Sequence, residues 1–330
     1  MNAPNTRPQQ PPAPFRPAIS RGARMDPPRI VIHGSPGIGK STLASCAPSP
    51  LFLDLEHGTL QLDVARVDNI DSWESLLATV RSIAADPQGF QTLVIDTLDR
   101  AEWLCWQHLC RKDRVDSIEK FQRGYGKGYT AAYEEFRALA HALDACRSRH
   151  GMTIILIAHS KIEKAPNAAG DEYERWTLKV HKQVAGLFYE SFDAILFARL
   201  ETFTTKSESG RVKGFGDARV LETQETPAWL AKNRYRLPAR IPLSWEDLNA
   251  GLTRGAAEVV ESLRVEIDAA LARLDALDAK AAAAARDALA KAAAQPAPLG
   301  VLLNRINGGI AAREAARAED ANTTPDNTNA

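Results

Sequence analysis

The segment that most constrains the fold is Gly34 to Ser41, whose letters GSPGIGKS fit the pattern G-x-x-x-x-G-K-[ST]. An apolar run, RIVIH, precedes it, and the residues after it are typical of a helix that begins near Lys40. A strand, a glycine-rich turn and a helix N-terminus together form a nest of backbone N–H groups that binds phosphate. The sequence therefore predicts a phosphate-binding loop on a sheet of parallel strands.

Each residue type in this loop has a physical task. The glycines let successive N–H groups turn inward without a Cβ in the way. Lys40 supplies positive charge to the β- and γ-phosphates, and the Ser41 hydroxyl is a ligand for Mg²⁺. We therefore expect ATP and Mg²⁺ as cofactors. The residues expected around the nucleotide are Gly34, Ser35, Pro36, Gly37, Ile38, Gly39, Lys40, Ser41 and Thr42.

The remaining apolar runs indicate an α/β fold. Five of them read as strands, RIVIHG, LFLDLE, TLVIDT, TIILIAHS and DAILFARL, and helix-like segments separate the first four. Near-continuous apolar strands joined by helices favour a mainly parallel sheet that is covered by helices on both faces. Residues 200–223 contain two extended runs around a Gly/Ser-rich turn, which predicts an added β-hairpin.

Composition changes divide the chain into four predicted segments. Residues 1–25 form a Pro-rich arm with six prolines, which we expect to be disordered. Residues 26–250 form the ATPase core, and residues 251–318 form a helical C-terminal extension. Apolar residues at spacings of three and four from Val260 to Leu277 predict a long amphipathic helix in that extension, and QPAP at 295–298 ends it. Residues 319–330 are expected to be a disordered tail.

Charge and cysteine content exclude several classes of protein. The 41 basic and 41 acidic residues cancel, so a polyanionic partner must be sought in local clusters. The four cysteines show no metal-ligand spacing and no disulfide framework, which favours reduced thiols. The longest apolar run, IILIA, is too short to cross a bilayer. We expect a cytoplasmic protein without membrane contact.

Three strands of the predicted sheet end in polar residues that suit hydrolysis. Asp96 ends TLVIDT, where a carboxylate would hold Mg²⁺; the alternative is an ordinary surface acid. Asp54 and Glu56 are two residues apart, so an extended chain points both to one side, and one or both can face the nucleotide. Glu56 is the better candidate to polarise the attacking water; the alternative is an ordinary acid at a strand end. His159 ends the fourth strand, where it either contacts the γ-phosphate or is a hydrogen-bonded edge histidine.

These motifs together resemble the RecA-type recombinase ATPase core. LFLDLEHGTLQLDVARV, TLVIDTLD and IILIAHS follow the phosphate loop in that order. Residues 29–245 are similar to the phage short-form RecA-like family, the Sak-type single-strand annealing ATPases, which are also grouped as phage nucleotide-binding AAA-type proteins. The phosphate loop is shared by many P-loop proteins. The acid in DLEHG and the segments FQRGYGKGYT and AKNRYRLP are more specific.

The resemblance implies roles for particular residues. Glu56 matches the glutamate that activates water, and His159 stands where RecA has a glutamine that couples the γ-phosphate to a DNA-binding loop. Lys232 and Arg234 match a basic pair that RecA filaments offer across the subunit interface to a neighbour's γ-phosphate, with Arg here in place of the second Lys. ATP would then lie between subunits of an oligomer, either a ring or a filament. The alternative for AKNRYR is a solvated basic strand.

The resemblance also places a DNA-facing loop at residues 111–129. This segment has six basic and three acidic residues with aromatic side chains among them, which suits phosphate contact and base stacking. A second loop, residues 160–176, follows His159, and its case depends on position rather than charge. The expected DNA contacts are Arg123, Tyr125, Lys127, Tyr129 and Lys161. The alternative is that both loops are ordinary solvated connections.

The sequence thus predicts an oligomeric, Mg²⁺-dependent ATPase that binds single-stranded DNA and promotes annealing or strand pairing. Its expected partners are single-stranded DNA and other copies of itself. A single-strand-binding protein is a further candidate that no motif supports. The alternatives are a helicase-like motor, a small-molecule kinase, and a nucleotide-gated scaffold without turnover.

Overall fold

The computed structural model describes residues 26–165, 170–201, 203–206, 212–215, 218–291 and 296–323. The chain divides into two compact units, residues 26–258 and a helical unit from residue 259 onward. The arm predicted at residues 1–25 lies outside the described residues. So does most of the predicted tail, although its first residues, to Thr323, belong to a helix.

The strands of the first unit form one large mixed sheet. Its order is β12-β10-β7-β1-β5-β4-β2-β3, with β6 paired to β5 and β11 paired to β7. The six strands from β7 to β3 are parallel, whereas β6, β10, β11 and β12 join them in antiparallel fashion. The strands of this sheet are β1 (Arg29–Gly34), β2 (Pro50–Asp54), β3 (Ala65–Val67), β4 (Thr92–Asp96), β5 (Thr153–Ala165), β6 (Tyr173–Leu178), β7 (Ala194–Leu200), β10 (Arg219–Glu222), β11 (Lys232–Asn233) and β12 (Arg240–Pro242).

The predicted β-hairpin is present between β7 and β10. Strands β8 (Phe203–Lys206) and β9 (Val212–Phe215) pair in antiparallel fashion as a separate two-stranded sheet. The α/β class, with a mainly parallel sheet, an added hairpin and a helical C-terminus, is therefore confirmed. The helices are α1 (Lys40–Ser45), α2 (Trp73–Ala85), α3 (Leu98–Asp113), α4 (Lys127–His150), α5 (Lys182–Ser191), α6 (Trp245–Leu277), α7 (Ala279–Lys291) and α8 (Pro296–Thr323), with a 3₁₀ helix at Ile118–Arg123.

The sheet has an apolar core on each face, as its near-continuous apolar strands predict. On one face, strand residues such as Val31 and Leu53 pack with Trp73, Phe136 and Phe188 from helices α2, α4 and α5. On the other face, Ile30, Ile32 and Phe52 pack with residues of α1 and the first turns of α6. Helices thus pack on both faces of the sheet, and this packing holds the carboxyl ends of the parallel strands in place.

The helical unit has an apolar core of its own. Leu263, Ile267, Leu271 and Leu274 form the stripe expected from the sequence, and they pack with apolar residues of α7 and α8. The single long helix predicted to residue 294 is interrupted at Asp278. There the side chain accepts a hydrogen bond from the backbone N–H of Ala281 (2.9 Å) and so caps α7. Within the described residues, no helix combines the length and apolar character that crossing a membrane requires.

Candidate nucleotide site

Strand register brings the predicted site residues to one edge of the sheet. Gly34 at the end of β1 is level with His159 on β5. Asp96 at the end of β4 is level with Asp54 on β2 and Ile157 on β5. A cavity of about 500 Å³ opens at this edge, and its lining includes Pro36, Gly37, Gly39, Lys40, Ser41, Thr42, Glu56, Asp96 and His159. Residues of the phosphate loop therefore share one cavity with Glu56, Asp96 and His159.

Glycine is required at three positions of the loop for two different structural reasons. Gly37 (φ 75°) and Gly39 (φ 109°) adopt the left-handed backbone that other residues rarely adopt. Gly34 is needed for close packing instead, because a Cβ there would lie 2.4 Å from the carbonyl oxygen of Ala198 on β7. Ile38 is buried in the core and anchors the loop to the sheet. The loop backbone is thus held in place before any nucleotide binds.

Lys40 is buried at the base of the loop. Its Nζ donates hydrogen bonds to the carbonyl oxygens of Gly34 and Ser35, both at 3.0 Å. Burial lowers the pKa of this lysine, and the charges of Asp96, Asp99 and Glu56 oppose that shift. The ammonium group therefore lies beside the backbone that would surround the phosphates.

Ser41 and Asp96 form the closest polar pair of the cavity. The Ser41 hydroxyl donates to Asp96 Oδ2 at 2.5 Å. Burial raises the pKa of the Asp96 carboxyl to about 6, and only 5% of this residue is exposed, so it is not an ordinary surface acid. A hydroxyl and a carboxylate oxygen are hard ligands of the kind that Mg²⁺ prefers. These two residues fit the predicted magnesium site.

Asp54, the last residue of β2, and Glu56, two residues later, have different surroundings. β2 ends at Asp54, so the alternation of an extended strand does not reach Glu56. The Asp54 carboxylate turns back and accepts hydrogen bonds from the N–H groups of Glu56, Gly58 and Thr59 and from the Thr59 hydroxyl. Burial alone would raise the pKa of Asp54, but these bonds hold it below its usual value. Of these two acids only Glu56 lines the cavity, and the Asp54 carboxylate stabilises the turn.

Glu56 is the acid that faces the cavity. Its side chain is exposed, and Oε1 accepts a hydrogen bond from the Thr97 hydroxyl at 2.8 Å. Thr97 directly follows Asp96 and caps α3. The carboxylate that the sequence selects for water activation is therefore tied to the end of the strand that bears Asp96.

Sequence reasoning missed Asp99, which holds His159. Asp99 Oδ1 accepts from the backbone N–H of His159 at 2.9 Å, and Oδ2 pairs with the ring Nδ1 at 3.0 Å. Burial would raise the pKa of Asp99, but the bonds from His159 hold it below its usual value. The available signal was an acid in the first turn of a helix, three residues after Asp96. His159 is hydrogen-bonded and also lines the cavity, so the two sequence interpretations do not exclude each other.

The structure does not bring Lys232 and Arg234 into this cavity. β11 pairs Lys232 with Ile195 on β7, whereas Gly34 is level with Ala198, three residues further along. Three residues of a strand span about 10 Å. Lys232 Nζ donates to the carbonyl oxygens of Tyr189 and Glu190 at the end of α5, and Arg234 lies 3.5 Å from Asp193.

The five predicted DNA contacts divide into two groups. Arg123, Tyr125 and Lys127 are exposed, Tyr125 to 97%. Tyr129 stacks on His181 with ring centroids 4.1 Å apart, and Lys161 Nζ donates to the carbonyl oxygen of Val180 at 2.9 Å. The latter two therefore have partners within the chain.

The two predicted DNA loops also differ from expectation. Residues 118–123 of the first form a 3₁₀ helix, and its Phe121 is buried in the core rather than available for base stacking. The second is largely a β-hairpin, because β5 continues to Ala165 and pairs with β6. Residues 166–169 at its turn lie outside the described residues.

Comparison with known proteins supports the nucleotide site. A family model described as an AAA domain matches residues 26–235, more than half of the chain. The match includes the phosphate loop, Glu56, Asp96 and His159, and it indicates nucleotide binding by a P-loop ATPase domain. A search among curated proteins finds no match.

Proposed function

The chain belongs to the AAA domain family, and from that premise we propose a Mg²⁺-dependent ATPase that binds single-stranded DNA and promotes annealing or strand pairing as an oligomer. The observation that carries the ATPase part is the shared cavity at the carboxyl edge of the sheet. Lys40, the Ser41–Asp96 pair and Glu56 all line it. Phosphate charge, metal ligation and water activation each find a suitable group there.

The chemistry assigns one task to each group. Loop N–H groups and Lys40 would hold the β- and γ-phosphates. Mg²⁺, held by Ser41 and Asp96, would neutralise charge on the phosphate oxygens. Glu56 would take a proton from the attacking water while the oxygen of that water bonds to the γ-phosphorus. The bond from that phosphorus to the bridging oxygen breaks at the same time, and its electron pair stays on ADP.

The oligomeric part is supported by the position of Arg234. Together with Lys232 it lies toward the opposite end of the strands from its own cavity, so its charge would reach a γ-phosphate only in a neighbouring subunit. Its side chain is 55% exposed, with Asp193 at 3.5 Å. The ammonium group of Lys232 donates two hydrogen bonds to carbonyl oxygens near the end of α5. Arg234 is therefore the better candidate for a contribution to a neighbour's γ-phosphate, where a planar guanidinium suits phosphate oxygens.

The DNA part is supported by the segment around Tyr125. This ring is almost fully exposed between Gly124 and Gly126, with basic Arg123 and Lys127 on either side. Exposed aromatic rings stack on bases, and neighbouring basic side chains contact phosphates without sequence preference. The resemblance to Sak-type ATPases supports annealing as the outcome of such binding.

ATP hydrolysis by the full chain tests the first part. We expect Lys40→Ala to lower hydrolysis by at least about 100-fold, because charge at the transferred phosphate is lost. Lys280→Ala, which removes an exposed lysine of α7, should leave the rate unchanged. Binding of ATP without any Lys40-dependent hydrolysis would favour the nucleotide-gated scaffold.

DNA binding and annealing of labelled complementary strands test the second part. The double variant Arg123→Ala/Lys127→Ala should weaken binding to single-stranded DNA and reduce the slope of log K against log salt by about 1.4. The control Arg81→Ala/Arg137→Ala removes the same charge from exposed helix positions and should change neither quantity. Wild-type protein without DNA binding would overturn the DNA part. Directional unwinding without annealing would favour a helicase-like motor. Phosphoryl transfer to a small molecule would favour a kinase.

Mixed oligomers test the contribution across subunits. Glu56→Ala subunits retain Arg234 and Arg234→Ala subunits retain Glu56, so mixing them should restore some hydrolysis at the interfaces that combine both residues. Mixing Glu56→Ala with Lys40→Ala is the control. Both of those residues belong to the same cavity, so no recovery is expected. Equal behaviour of the two mixtures would contradict action across the interface.

A further inference from the structure

The contact between Asp99 and His159 has a consequence for the ring nitrogens. A carboxylate only accepts hydrogen bonds, so the ring nitrogen paired with Asp99, Nδ1, carries a proton. The second bond, from the backbone N–H of His159 to Asp99 Oδ1, ties β5 to the first turn of α3 and so keeps the two side chains together. Both side chains are mostly buried, at 18% and 12% exposed, so water competes little for these bonds.

The other ring nitrogen, Nε2, is therefore an acceptor when the imidazole is neutral. Among the described residues no hydrogen bond to His159 Nε2 is formed, and His159 lines the cavity together with Glu56 and Lys40. A carboxylate oxygen of Glu56, a carboxylate oxygen of Asp99 and one ring nitrogen of His159 lie within 4.8 Å of one another, so the Glu56 carboxylate and the imidazole are neighbours. A water molecule that donates one hydrogen to each of two acceptors spans about 4.5 Å between them.

We propose that Asp99 is a positioning residue that fixes the Nδ1–H form of His159, so that Nε2 and the Glu56 carboxylate accept the two hydrogens of the attacking water. This inference rests on the proposed ATPase function. Two acceptors direct the oxygen lone pair of that water away from themselves and toward the phosphorus. The proton that leaves passes to Glu56, and His159 retains its protonation state while it orients the water.

Asp99→Asn separates this role from a structural one. Asparagine keeps an oxygen for the backbone N–H of His159, but its amide group donates toward Nδ1. The proton of a neutral ring then moves to Nε2, which no longer accepts from water. We expect kcat to fall by at least about tenfold, because the attacking water loses one of the two acceptors that orient it. KM should not rise by more than about twofold, because Asp99 is not among the residues that line the cavity and loss of its negative charge near Lys40 does not disfavour the phosphates.

A double-mutant cycle supplies the decisive comparison. In His159→Gln the side-chain oxygen accepts from water and has no tautomer for Asp99 to set. Asp99→Asn should then lower kcat by less than about threefold in that background. If Asp99 acts only through the fold, Asp99→Asn lowers kcat equally in both backgrounds, and the proposal is overturned.

Nitrogen NMR of the histidine rings gives a readout that does not depend on hydrolysis. The His159 signals are identified by their loss in His159→Gln. We expect protonated Nδ1 and unprotonated Nε2 in the wild type, and the reverse in Asp99→Asn. If this reversal occurs without ATP hydrolysis by the wild type, the ATPase proposal and the water-orienting role both fail while the control of the ring proton by Asp99 stands. If hydrolysis depends on Lys40 but the ring does not change, the present inference alone fails.

Discussion

Replacing Glu102 with Gln is expected to stabilise the unit formed by residues 26–258 at alkaline pH. Glu102 lies one turn after Asp99 on α3 and is only 5% exposed. Its Oε1 accepts a hydrogen bond from the backbone N–H of His181 at 2.8 Å. Gln keeps an oxygen acceptor for that bond and cannot ionise, so the substitution removes a buried charge and little else.

The magnitude follows from the pKa of this carboxyl. Burial raises the pKa of Glu102 from 4.5 to about 7, although the His181 N–H and the charge of Lys161 oppose the shift. A carboxyl with a raised pKa in the folded state stabilises the fold fully below pH 4.5, and this stabilisation is lost as the pH rises through about 7. One pH unit corresponds to about 1.4 kcal/mol, so the wild type should lose about 2 to 3 kcal/mol relative to Glu102→Gln between pH 5 and 8.

Urea unfolding followed by tryptophan fluorescence measures this effect in the right part of the chain. All six tryptophans lie between residues 73 and 245, so their emission reports the unit of residues 26–258 and not the helical unit. Glu134→Gln on the exposed surface of α4 is the control, and its effect should stay within about 1 kcal/mol at every pH. A difference between wild type and Glu102→Gln that does not change from pH 5 to 8 would refute the reasoning.

Two further predictions concern stability. Gly128→Ala should lower the free energy of unfolding by about 1–3 kcal/mol, because a Cβ there would lie 2.2 Å from the Ile118 carbonyl oxygen. The control Gly186→Ala also lies within a helix, but no described atom is inside 4 Å of its new Cβ, so the free energy of unfolding should rise by about 0.5–1 kcal/mol. Unfolding followed by fluorescence compares the two variants, and equal effects would contradict the packing argument. Asp278→Ala should destabilise the helical unit, because the α7 cap and the ion pair with Arg313 are both lost. Far-UV circular dichroism on heating measures this effect, and an unchanged helix signal would contradict the capping role.

The sequence predicts the parallel sheet, and the grouping of residues at the edge that carries the cavity, because the relevant signals are local. The phosphate loop is a contiguous motif, and Asp96 and His159 each end an apolar run whose length identifies a buried strand. Parallel strands end at the same edge, so the grouping of these residues follows from the strand assignments alone. The added hairpin is likewise visible as a turn between two extended runs.

The missed features depend on contacts between distant segments. The Asp54 carboxylate binds its own turn and does not line the cavity, because β2 ends at Asp54, two residues before Glu56, which the alternation argument has to reach. Tyr129 stacks on His181, a residue more than fifty positions away, so no local pattern distinguishes it from exposed Tyr125. The break at Asp278 lies inside a continuous apolar stripe, where periodicity gives no sign of a new helix start.

The first two turns of α3 connect the features on which the proposals depend. Asp99 and Glu102 are three residues apart, so they lie one turn apart on the same face of the helix. The successive contacts are Thr97 to Glu56, Asp99 to His159, and Glu102 to the N–H of His181. One short segment after Asp96 therefore positions the acid and the histidine of the cavity and also the residue on which Tyr129 stacks.

For the DNA-binding ATPase proposed above, this arrangement offers a route from the nucleotide cavity to Tyr129, one of the proposed DNA contacts. A helix of 16 residues moves as a rigid element, so a displacement at Asp99 is passed to Glu102 one turn, about 5 Å, further along. Glu102 contacts the segment Val180–His181, and a second side chain holds the same segment: Lys161 Nζ donates to the carbonyl oxygen of Val180. Lys161 lies two residues after His159 on β5. Helix α3, whose cap Thr97 lines the cavity, and strand β5, whose His159 lines it, thus both hold the Val180–His181 segment. In the proposed function, a change at His159 on nucleotide binding would reach the Tyr129–His181 stack through these two contacts.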